Sequence, residues 1–201
     1  MVKDVWPYLT AGLIVTLVLA LAGQTLAAVV CLVLTLAVAS FFRDPRRDVP
    51  TDPSLILSPA DGRVVAVSGG MVSIFLSVFN VHVNRAPVAG RITNIQYTPG
   101  SFLPAYREKA SELNEQNLIN LDTERGPMAV KQIAGLIARR IRCWKKPGDA
   151  VAQGEKIGFI TFGSRVDLFL PAGAAVRVAV GDRVRGGTSV VAVFADGGRR
   201  P

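Results

Sequence analysis

The feature that most constrains the fold is a long stretch without any charged residue, from Val5 to Phe42. As one helix it would extend about 57 Å at 1.5 Å per residue, although a bilayer core of about 30 Å needs only about 20 helical residues. A Gly-Gln-Thr triplet at 23–25 lies near the middle of the stretch and favours a turn. We therefore predict an N-terminal hydrophobic helical hairpin, with helices over residues 7–22 and 26–42.

The flanks of this hairpin indicate how it meets a membrane. A cleaved signal peptide is the alternative, but it needs a more basic start and a shorter apolar core than this chain has. Three arginines follow the hairpin directly, Arg43, Arg46 and Arg47, and positive flanks tend to remain cytoplasmic. We expect residues 1–47 to form a membrane-associated hairpin and linker that spans or dips into the cell membrane, with residues 48–201 on the cytoplasmic side.

Beyond the linker, the pattern changes to short apolar segments bounded by Gly, Pro and Asp, which is typical of a β sandwich or barrel. Helix is predicted only at 103–110, residues 132–142 fit helix and strand equally, and the polar stretch 111–123 is predicted to be a mobile loop. Strands are predicted at residues 62–67, 72–78, 81–85, 90–98, 128–132, 156–162, 166–170, 175–180 and 189–194.

A weak internal repeat refines this mainly β prediction. The segment 148–154, Gly-Asp-Ala-Val-Ala-Gln-Gly, resembles the segment 181–187, Gly-Asp-Arg-Val-Arg-Gly-Gly, and an apolar strand follows each. This device is typical of barrel-sandwich modules of the lipoyl and biotinyl type, which carry a cofactor on a hairpin lysine. The corresponding stretch here, 162–167, has no lysine. We therefore predict a lipoyl-like β domain that is not a swinging-arm carrier.

The charge of the chain lies almost entirely after the hairpin. That part holds all but one of the 23 Lys and Arg residues and all but one of the 15 Asp and Glu residues, and so carries the net charge of +8. The adjacent hairpin makes an anionic phospholipid surface the favoured partner, and no long basic run with interleaved aromatics favours nucleic acid. Cys31 and Cys143 lack metal-ligand spacing and are expected to be reduced thiols, so no metal site is predicted.

Three residues could together activate a nucleophile. Ser164 follows Gly163 in a strand-like stretch, where a glycine indicates a bulge or a close backbone approach. The Ser164 hydroxyl could attack the preceding carbonyl, or it could simply make a hydrogen bond within a bulge. His82 is the only histidine of the chain and is the candidate base, although a lone histidine is commonly structural. Asp61 is the candidate acid, although Asp-Gly is also a plain turn signal.

Six motifs follow one another along the chain: Phe-Phe-Arg-Asp-Pro at 41–45, Ser-Pro-Ala-Asp-Gly at 58–62, Asn-Val-His-Val-Asn-Arg-Ala-Pro at 80–87, Tyr-Thr-Pro-Gly-Ser-Phe at 97–102, Asn-Glu-Gln-Asn at 114–117 and Phe-Gly-Ser-Arg-Val at 162–166. In this order they closely resemble the short form of the phosphatidylserine decarboxylase family. The resemblance covers almost the whole chain, including the apolar hairpin, and the ordered series is far more specific than any one motif.

The resemblance implies a self-processing zymogen that is cut between Gly163 and Ser164. The products would be a β chain of residues 1–163 and an α chain of residues 164–201, which stay together as a heterodimer; a homo-oligomer is left open. The Ser164 hydroxyl would attack the Gly163 carbonyl to form an ester. β-Elimination and hydrolysis would then leave a pyruvoyl group, the covalent cofactor, in place of Ser164.

The activity that the resemblance implies is the decarboxylation of phosphatidylserine to phosphatidylethanolamine. The pyruvoyl carbonyl would form a Schiff base with the substrate amine and accept the electron pair that departing CO₂ leaves, without a metal or a diffusible cofactor. Archaetidylserine has the same head-group chemistry and stays open as the substrate. From another class, a membrane-tethered lipoyl-like adaptor is the alternative, and it would need neither His82 nor the Gly163-Ser164 pair.

One position departs from the family pattern. Longer members carry two histidines three residues apart, and alignment puts His82 at the first and Arg85 at the second, which belongs to the self-processing triad. Arginine stays protonated and is a poor base, so we favour His82 for both processing and decarboxylation, with Asp61 as the matching acid. Arg85 is then expected to hold the substrate phosphate or carboxylate, or to be a turn arginine. Arg139 and Arg140 are further candidates for binding the phosphate.

Overall fold

The structure is a computed structural model, and it describes residues 1–101, 113–135, 140–161 and 163–195. The chain divides into two compact units, Met1–Arg46 and Arg47–Pro201. The first unit begins with a 3₁₀ turn, Lys3–Val5, followed by helix α1, Trp6–Leu21, and helix α2, Thr25–Phe41. The predicted N-terminal helix pair is therefore confirmed.

The helix pair is tied at its ends and is apolar on its outer surface. The Val2 N–H donates to the Phe42 carbonyl at 3.0 Å, and the rings of Tyr8 and Phe42 stack with centroids 5.6 Å apart. Most of the leucine and valine side chains of both helices are exposed. The segment Lys3–Leu21 is long and apolar enough to cross a membrane, whereas Thr25–Phe41 is an apolar helix of shorter length.

The second unit consists of short strands that pair in antiparallel ladders and form three sheets. The strands are β1 Leu55–Leu57, β2 Gly62–Ser68, β3 Met71–Leu76, β4 Val83–Arg85, β5 Gly90–Thr98, β6 Gln116–Asp122, β7 Met128–Ile133, β8 Ile141–Cys143, β9 Ala150–Val151, β10 Lys156–Ile160, β11 Ser164–Phe169, β12 Ala175–Val176, β13 Arg183–Val184 and β14 Val190–Val193. The large sheet has the order β13-β2-β3-β11-β7-β6-β5-β9, and two small sheets have the orders β1-β14-β12 and β4-β10-β8. This architecture confirms the mainly β fold class.

The two copies of the internal repeat occupy equivalent places in these sheets. Strand β9 comes from the first copy and β13 from the second, and they form the two opposite edges of the large sheet. The strands that follow them, β10 and β14, are each the central strand of a small sheet. The duplication in the sequence is therefore a duplication of the fold, as expected for a barrel-sandwich module.

The predicted mobile loop at 111–123 is wrong for the part of it that the structure describes. Residues Gln116–Asp122 form β6, an interior strand that pairs with both β5 and β7. The segment has a polar sequence, but its polar residue Asn117 is buried beside Ile119 and Leu121. A hydrogen bond to another side chain satisfies the Asn117 amide. The helix predicted at 103–110 lies outside the described residues.

The core of this unit is formed by aliphatic side chains from all three sheets. The central strands β3 and β11 contribute Ile74 and Leu168, and the small sheets contribute Ile157 and Val191, all fully buried. Strand β11 lies between β3 and β7, so its side chains meet neighbours on both sides. The strand that begins with Ser164 is thus an interior element of the large sheet.

Candidate active site

Ser164 is the first residue of β11 and is fully buried. It pairs with Leu76, the last residue of β3. The Ser164 hydroxyl has no hydrogen-bond partner among the residues that the structure describes, which is costly for a buried polar group and calls for an explanation. Gly163 has φ of +61°, and a Cβ placed there would meet no atom of the described residues within 4 Å. The backbone is therefore left-handed immediately before the buried hydroxyl, with open space beside it.

His82 is also fully buried, and its ring is oriented by the main chain. Its Nδ1 lies 2.9 Å from the Asn80 carbonyl oxygen. Because a carbonyl can only accept, Nδ1 carries the proton of the neutral ring, and Nε2 is the basic nitrogen. Asn80 is itself held by Ser77, whose N–H and hydroxyl both donate to Asn80 Oδ1 at 2.8 Å. A short, internally bonded loop thus positions the candidate base.

The strand registers bring the segments carrying Ser164 and His82 side by side. At one end Ser164 pairs with Leu76. At the other end the Ile160 N–H donates to the His82 carbonyl at 3.3 Å. The two ends of the segment from Leu76 to His82 therefore lie next to Ser164 and Ile160, respectively. Two residues far apart in sequence share one junction between the large sheet and a small sheet.

Asp61 has a different set of partners from those of a triad acid. Arg47 Nη2 lies 3.0 Å and 2.8 Å from its two carboxylate oxygens, and the Gly186 N–H donates to Oδ1 at 2.8 Å. Both side chains of this ion pair are largely buried, with 10% and 13% exposure. No hydrogen bond or ion pair joins Asp61 to His82 among the described residues. Its role as the acid partner of His82 remains a prediction.

Arg85 is buried where the two repeat copies meet. Its Nη1 donates to the Gly154 carbonyl at 3.0 Å, and a Cβ at Gly187 would lie 2.7 Å from its Cδ. Gly154 and Gly187 are the last residues of the two copies, so Arg85 packs between them. The sequence left two roles open for Arg85, substrate binding and a structural role in a turn. This placement supports the structural role.

The two other arginines proposed for the substrate are differently placed. Arg140 is exposed, and its carbonyl accepts hydrogen bonds from the Thr161 N–H at 3.3 Å and the Thr161 hydroxyl at 3.1 Å. Its backbone therefore lies beside the loop that leads to Ser164. Arg139 lies outside the described residues.

A buried row of amides was not predicted from the sequence. Asn117 Nδ2 donates to Gln132 Oε1 at 2.9 Å, and Gln132 Nε2 donates to Asn84 Oδ1 at 2.8 Å. All three are buried, and a Cβ at Gly158 would lie 2.8 Å from Gln132 Nε2. Asn84 and Asn117 lie within the motifs at 80–87 and 114–117. An asparagine among apolar residues was the sequence signal that could have indicated a buried amide.

This amide row lies on the same face of the large sheet as the candidate nucleophile. Gln132 pairs directly with Val166, and Ser164 is two residues before Val166 on the same strand. Directly paired residues and alternate residues of a strand share a face. The face thus combines a fully apolar core with a polar end that holds Ser164 and the amides. Within the described residues no cluster of His, Cys, Asp or Glu is suited to hold a metal ion.

Known proteins resemble this chain over nearly its whole length. A family model described as phosphatidylserine decarboxylase matches residues 34–192. A protein named phosphatidylserine decarboxylase proenzyme from Ralstonia pickettii is 47% identical over 94% of both chains. Proteins of the same name from Desulfotalea psychrophila and Geotalea uraniireducens are 44% and 43% identical, over 92% and 94% of both chains respectively.

Proposed function

The chain belongs to the phosphatidylserine decarboxylase family, and on that premise we propose that it converts phosphatidylserine to phosphatidylethanolamine and CO₂. The enzyme is made as a zymogen, cuts itself between Gly163 and Ser164, and uses a pyruvoyl group derived from Ser164. The observation that carries this proposal is the Ser164 hydroxyl, buried and without a hydrogen-bond partner among the described residues, next to a left-handed glycine.

The cut needs only groups of the chain itself and water. The Ser164 oxygen forms a bond to the Gly163 carbonyl carbon while the peptide C–N bond breaks, which gives an ester and a free Ser164 amine. Loss of the Ser164 α-proton then expels the Gly163 carboxylate and leaves dehydroalanine. Addition of water to its imine form releases ammonia and leaves the pyruvoyl group. Glycine at 163 allows the carbonyl to turn toward the hydroxyl because it tolerates positive φ.

His82 is the base that this chemistry needs. Its Nδ1 proton is committed to the Asn80 carbonyl, so the neutral ring presents Nε2 as proton acceptor for the Ser164 hydroxyl. A carbonyl that fixes the tautomer and ring orientation takes over that part of the role of a triad carboxylate, but it brings no negative charge to stabilise the imidazolium. Arg85, at the position of the second family histidine, is bound between the two turns. This distribution supports His82 as the base for both self-cleavage and decarboxylation.

The residues around Ser164 fit the group that would form there. When present, the pyruvoyl group supplies an electron sink for decarboxylation at the substrate amine carbon. The protein contributes a fixed position for it, because Ser164 heads an interior strand whose partner β3 is fixed by pairing with β2. The buried amides of Asn84, Gln132 and Asn117 provide a polar end to the same face.

We place the activity at the cell membrane, with the catalytic unit on the cytoplasmic side. The apolar helix pair and the arginines that follow it support this location. The expected assembly is the heterodimer of the β and α chains, bound to anionic phospholipid. Archaetidylserine would be handled by the same chemistry, so the lipid that the host supplies decides between the two substrates.

Intact mass measurement of the full chain tests the zymogen directly. Wild type should give two chains in place of one of 21.4 kDa, with the smaller chain lacking a free amino terminus. Ser164→Ala should stay uncut and release no CO₂ from phosphatidylserine, because it has no hydroxyl to form the ester. Ser68→Ala, an exposed serine on β2, is the matched control and should be cut normally.

The same assay separates the roles of His82. His82→Gln should abolish CO₂ release, and a simultaneous loss of cutting would assign both steps to this residue. A wild-type chain that stays whole after prolonged incubation would contradict the enzyme and favour the adaptor. Normal cutting of Ser164→Ala would contradict the ester mechanism alone.

A further inference from the structure

A cleft of about 970 Å³ lies on the opposite face of the large sheet from the amide row, at its β13 edge. Its charged lining residues are three arginines, Arg63, Arg183 and Arg185, together with Asp61. The remaining walls include Phe75 and the loop that follows β3. All three arginines are exposed, so their guanidinium groups are open to a ligand from solvent. The proposed cutting chemistry uses none of these three arginines.

The arginines repel one another when no anion is bound in the cleft. Arg63 and Arg183 are direct cross-strand partners of β2 and β13, which puts their Cβ atoms about 5 Å apart. Like charges directly opposite each other destabilise a sheet. None of the three side chains has an ion pair or a hydrogen bond within the described part of the chain. A bound anion would remove this repulsion, and guanidinium groups are well suited to phosphate.

The carboxylate in the same cleft does not cancel this positive charge. Both oxygens of Asp61 are already bound by Arg47 Nη2, and Oδ1 also accepts from the Gly186 N–H. Asp61 is therefore neutralised by an arginine outside the cleft lining. The field that a ligand meets comes from the three unpaired arginines, so the cleft selects for an anion.

The walls connect the cleft to the candidate active site. Phe75 and Leu76, the direct partner of Ser164, are successive strand residues whose side chains lie on opposite faces of the sheet, so the connection is made by the loop that follows them. Ser77 and Asn80 line the cleft, and the Asn80 carbonyl orients His82. Phe79 lies between them on the same loop and is 82% exposed. The cleft thus joins a cationic floor, an exposed aromatic ring and the loop of the base, a combination that matches a phosphate attached to an apolar lipid.

We propose that this cleft binds the phosphodiester of the lipid substrate through Arg63, Arg183 and Arg185, and so holds the head group against the loop that carries His82. The proposal rests on the proposed function for the identity of the lipid. It assigns the phosphate to a set of arginines different from Arg85, Arg139 and Arg140, the candidates from the sequence. Phe79 at the rim is placed to meet the glycerol and acyl region.

Equilibrium binding of dihexanoylphosphatidylglycerol to the full chain in neutral detergent tests the site. This probe has the phosphodiester and the acyl chains but no amine or carboxylate, so its binding does not depend on decarboxylation. Each change Arg63→Gln, Arg183→Gln or Arg185→Gln should weaken binding about five- to tenfold, because each removes a charge-assisted hydrogen bond. The triple variant should show no binding. Arg177→Gln, which removes an exposed arginine outside the cleft, is the matched control and should bind as wild type does.

Three further measurements separate this idea from its alternatives. The KM for a short-chain phosphatidylserine should rise by the same factor in the cleft variants, while kcat and the extent of self-cleavage stay at wild-type values. The thermal midpoint of Arg63→Gln should not fall, because the change removes the charge repulsion between Arg63 and Arg183. A marked fall would assign these residues a structural role. Inorganic phosphate should compete only weakly, and competition as strong as that of the lipid would make the cleft a general anion site.

The proposal is overturned if the triple variant binds the probe within twofold of wild type. If binding behaves as expected but wild type releases no CO₂ from phosphatidylserine, the lipid site stands and the proposed function fails. The two ideas therefore fail by different readouts.

Discussion

At the scale of single residues, the site depends on three local backbone arrangements. Gly163 is left-handed with no atom near its missing side chain, Asn80 offers a carbonyl to His82, and Ser164 is buried at the start of a strand. The Asn80 carbonyl orients the His82 ring, as a carboxylate side chain does in other nucleophilic sites. If His82 is the base, as proposed, this contact provides the orientation without a second side chain.

The conformation of Gly163 can be tested by a pair of substitutions. Gly163→Ala should slow self-cleavage by about five- to thirtyfold, because a left-handed conformation costs an L-residue about 1–2 kcal/mol. Gly163→Asn should slow it less, since asparagine adopts this conformation more readily. A Cβ here meets no neighbour, so the pair compares backbone preference with little contribution from clashes. The half-time of cutting on denaturing gels measures the effect, and equal rates for both variants would show that φ at 163 is unimportant.

At the scale of elements, the strands are held in register by polar groups as well as by the core. The amide row links β4, β6 and β7 through Asn84, Asn117 and Gln132. A second polar device, an ion pair between Lys145 and Glu155, closes the first repeat copy. Each of these hydrogen bonds needs one particular partner, whereas the aliphatic contacts around them do not. Removal of one member of the amide row or of the ion pair should therefore lower the stability of the protein.

Gln132→Leu should lower the free energy of unfolding by about 2–5 kcal/mol. The change leaves Asn84 Oδ1 and Asn117 Nδ2 buried without a hydrogen-bond partner, and each unsatisfied group costs about 1–3 kcal/mol. Urea denaturation of the uncut Ser164→Ala chain gives the value without the complication of two chains. Gln96→Leu, on the exposed part of β5, should change the stability by less than about 0.5 kcal/mol. A loss for Gln132→Leu no larger than that of this control would show that the row is not stabilising.

The Glu155 ion pair predicts a pH-dependent stability. The Lys145 ammonium, which hydrogen-bonds the carboxylate, and the Ala152 N–H lower the pKa of Glu155 below its usual value of 4.5. The stabilisation is therefore complete above that value and is lost as the pH falls through the lower pKa of the folded state. Glu155→Gln should lower the thermal midpoint at pH 7, and the difference from wild type should shrink toward pH 3. The exposed Glu124→Gln is the charge-matched control. A difference that stays constant with pH would contradict the prediction.

At the scale of the whole molecule, the predicted cut separates two segments whose strands pair with each other. The segment after Ser164 supplies β11 between β3 and β7, β13 on β2 and β14 on β1. It also contributes buried residues to the common core, among them Val166, Leu168 and Val191. A break before Ser164 therefore leaves every ladder intact.

The cut enzyme should accordingly behave as one particle. Native mass spectrometry of mature protein should show the β and α chains together in equal numbers, and denaturing conditions should be required to separate them. The uncut Ser164→Ala chain is the reference for size and secondary structure. Release of the smaller chain during native size-exclusion chromatography would contradict this arrangement.

The sequence predicted those elements whose signals are local. The uncharged stretch with a central glycine indicated the helix pair, and short apolar segments bounded by Gly, Pro and Asp indicated the longer strands. Of the six strands of two or three residues, β4 and β12 fell within predicted strands. Strands β1, β9 and β13 were missed, and β8 overlaps a range left open between helix and strand, because distant pairing defines such short strands. Gln116–Asp122 was mistaken for a loop because burial of Asn117 depends on Gln132, which is close only after folding. Arg47 was interpreted as a flank charge, whereas in the structure it binds Asp61.

The burial of Ser164 at the head of an interior strand has a consequence for how long such an enzyme lives. The proposed prosthetic group, made from that residue, would be part of the polypeptide and would need no vitamin and no loading protein. For the same reason it could not be exchanged for a fresh one. A reagent that consumed the group would inactivate that molecule permanently, and only new synthesis would restore the lost activity.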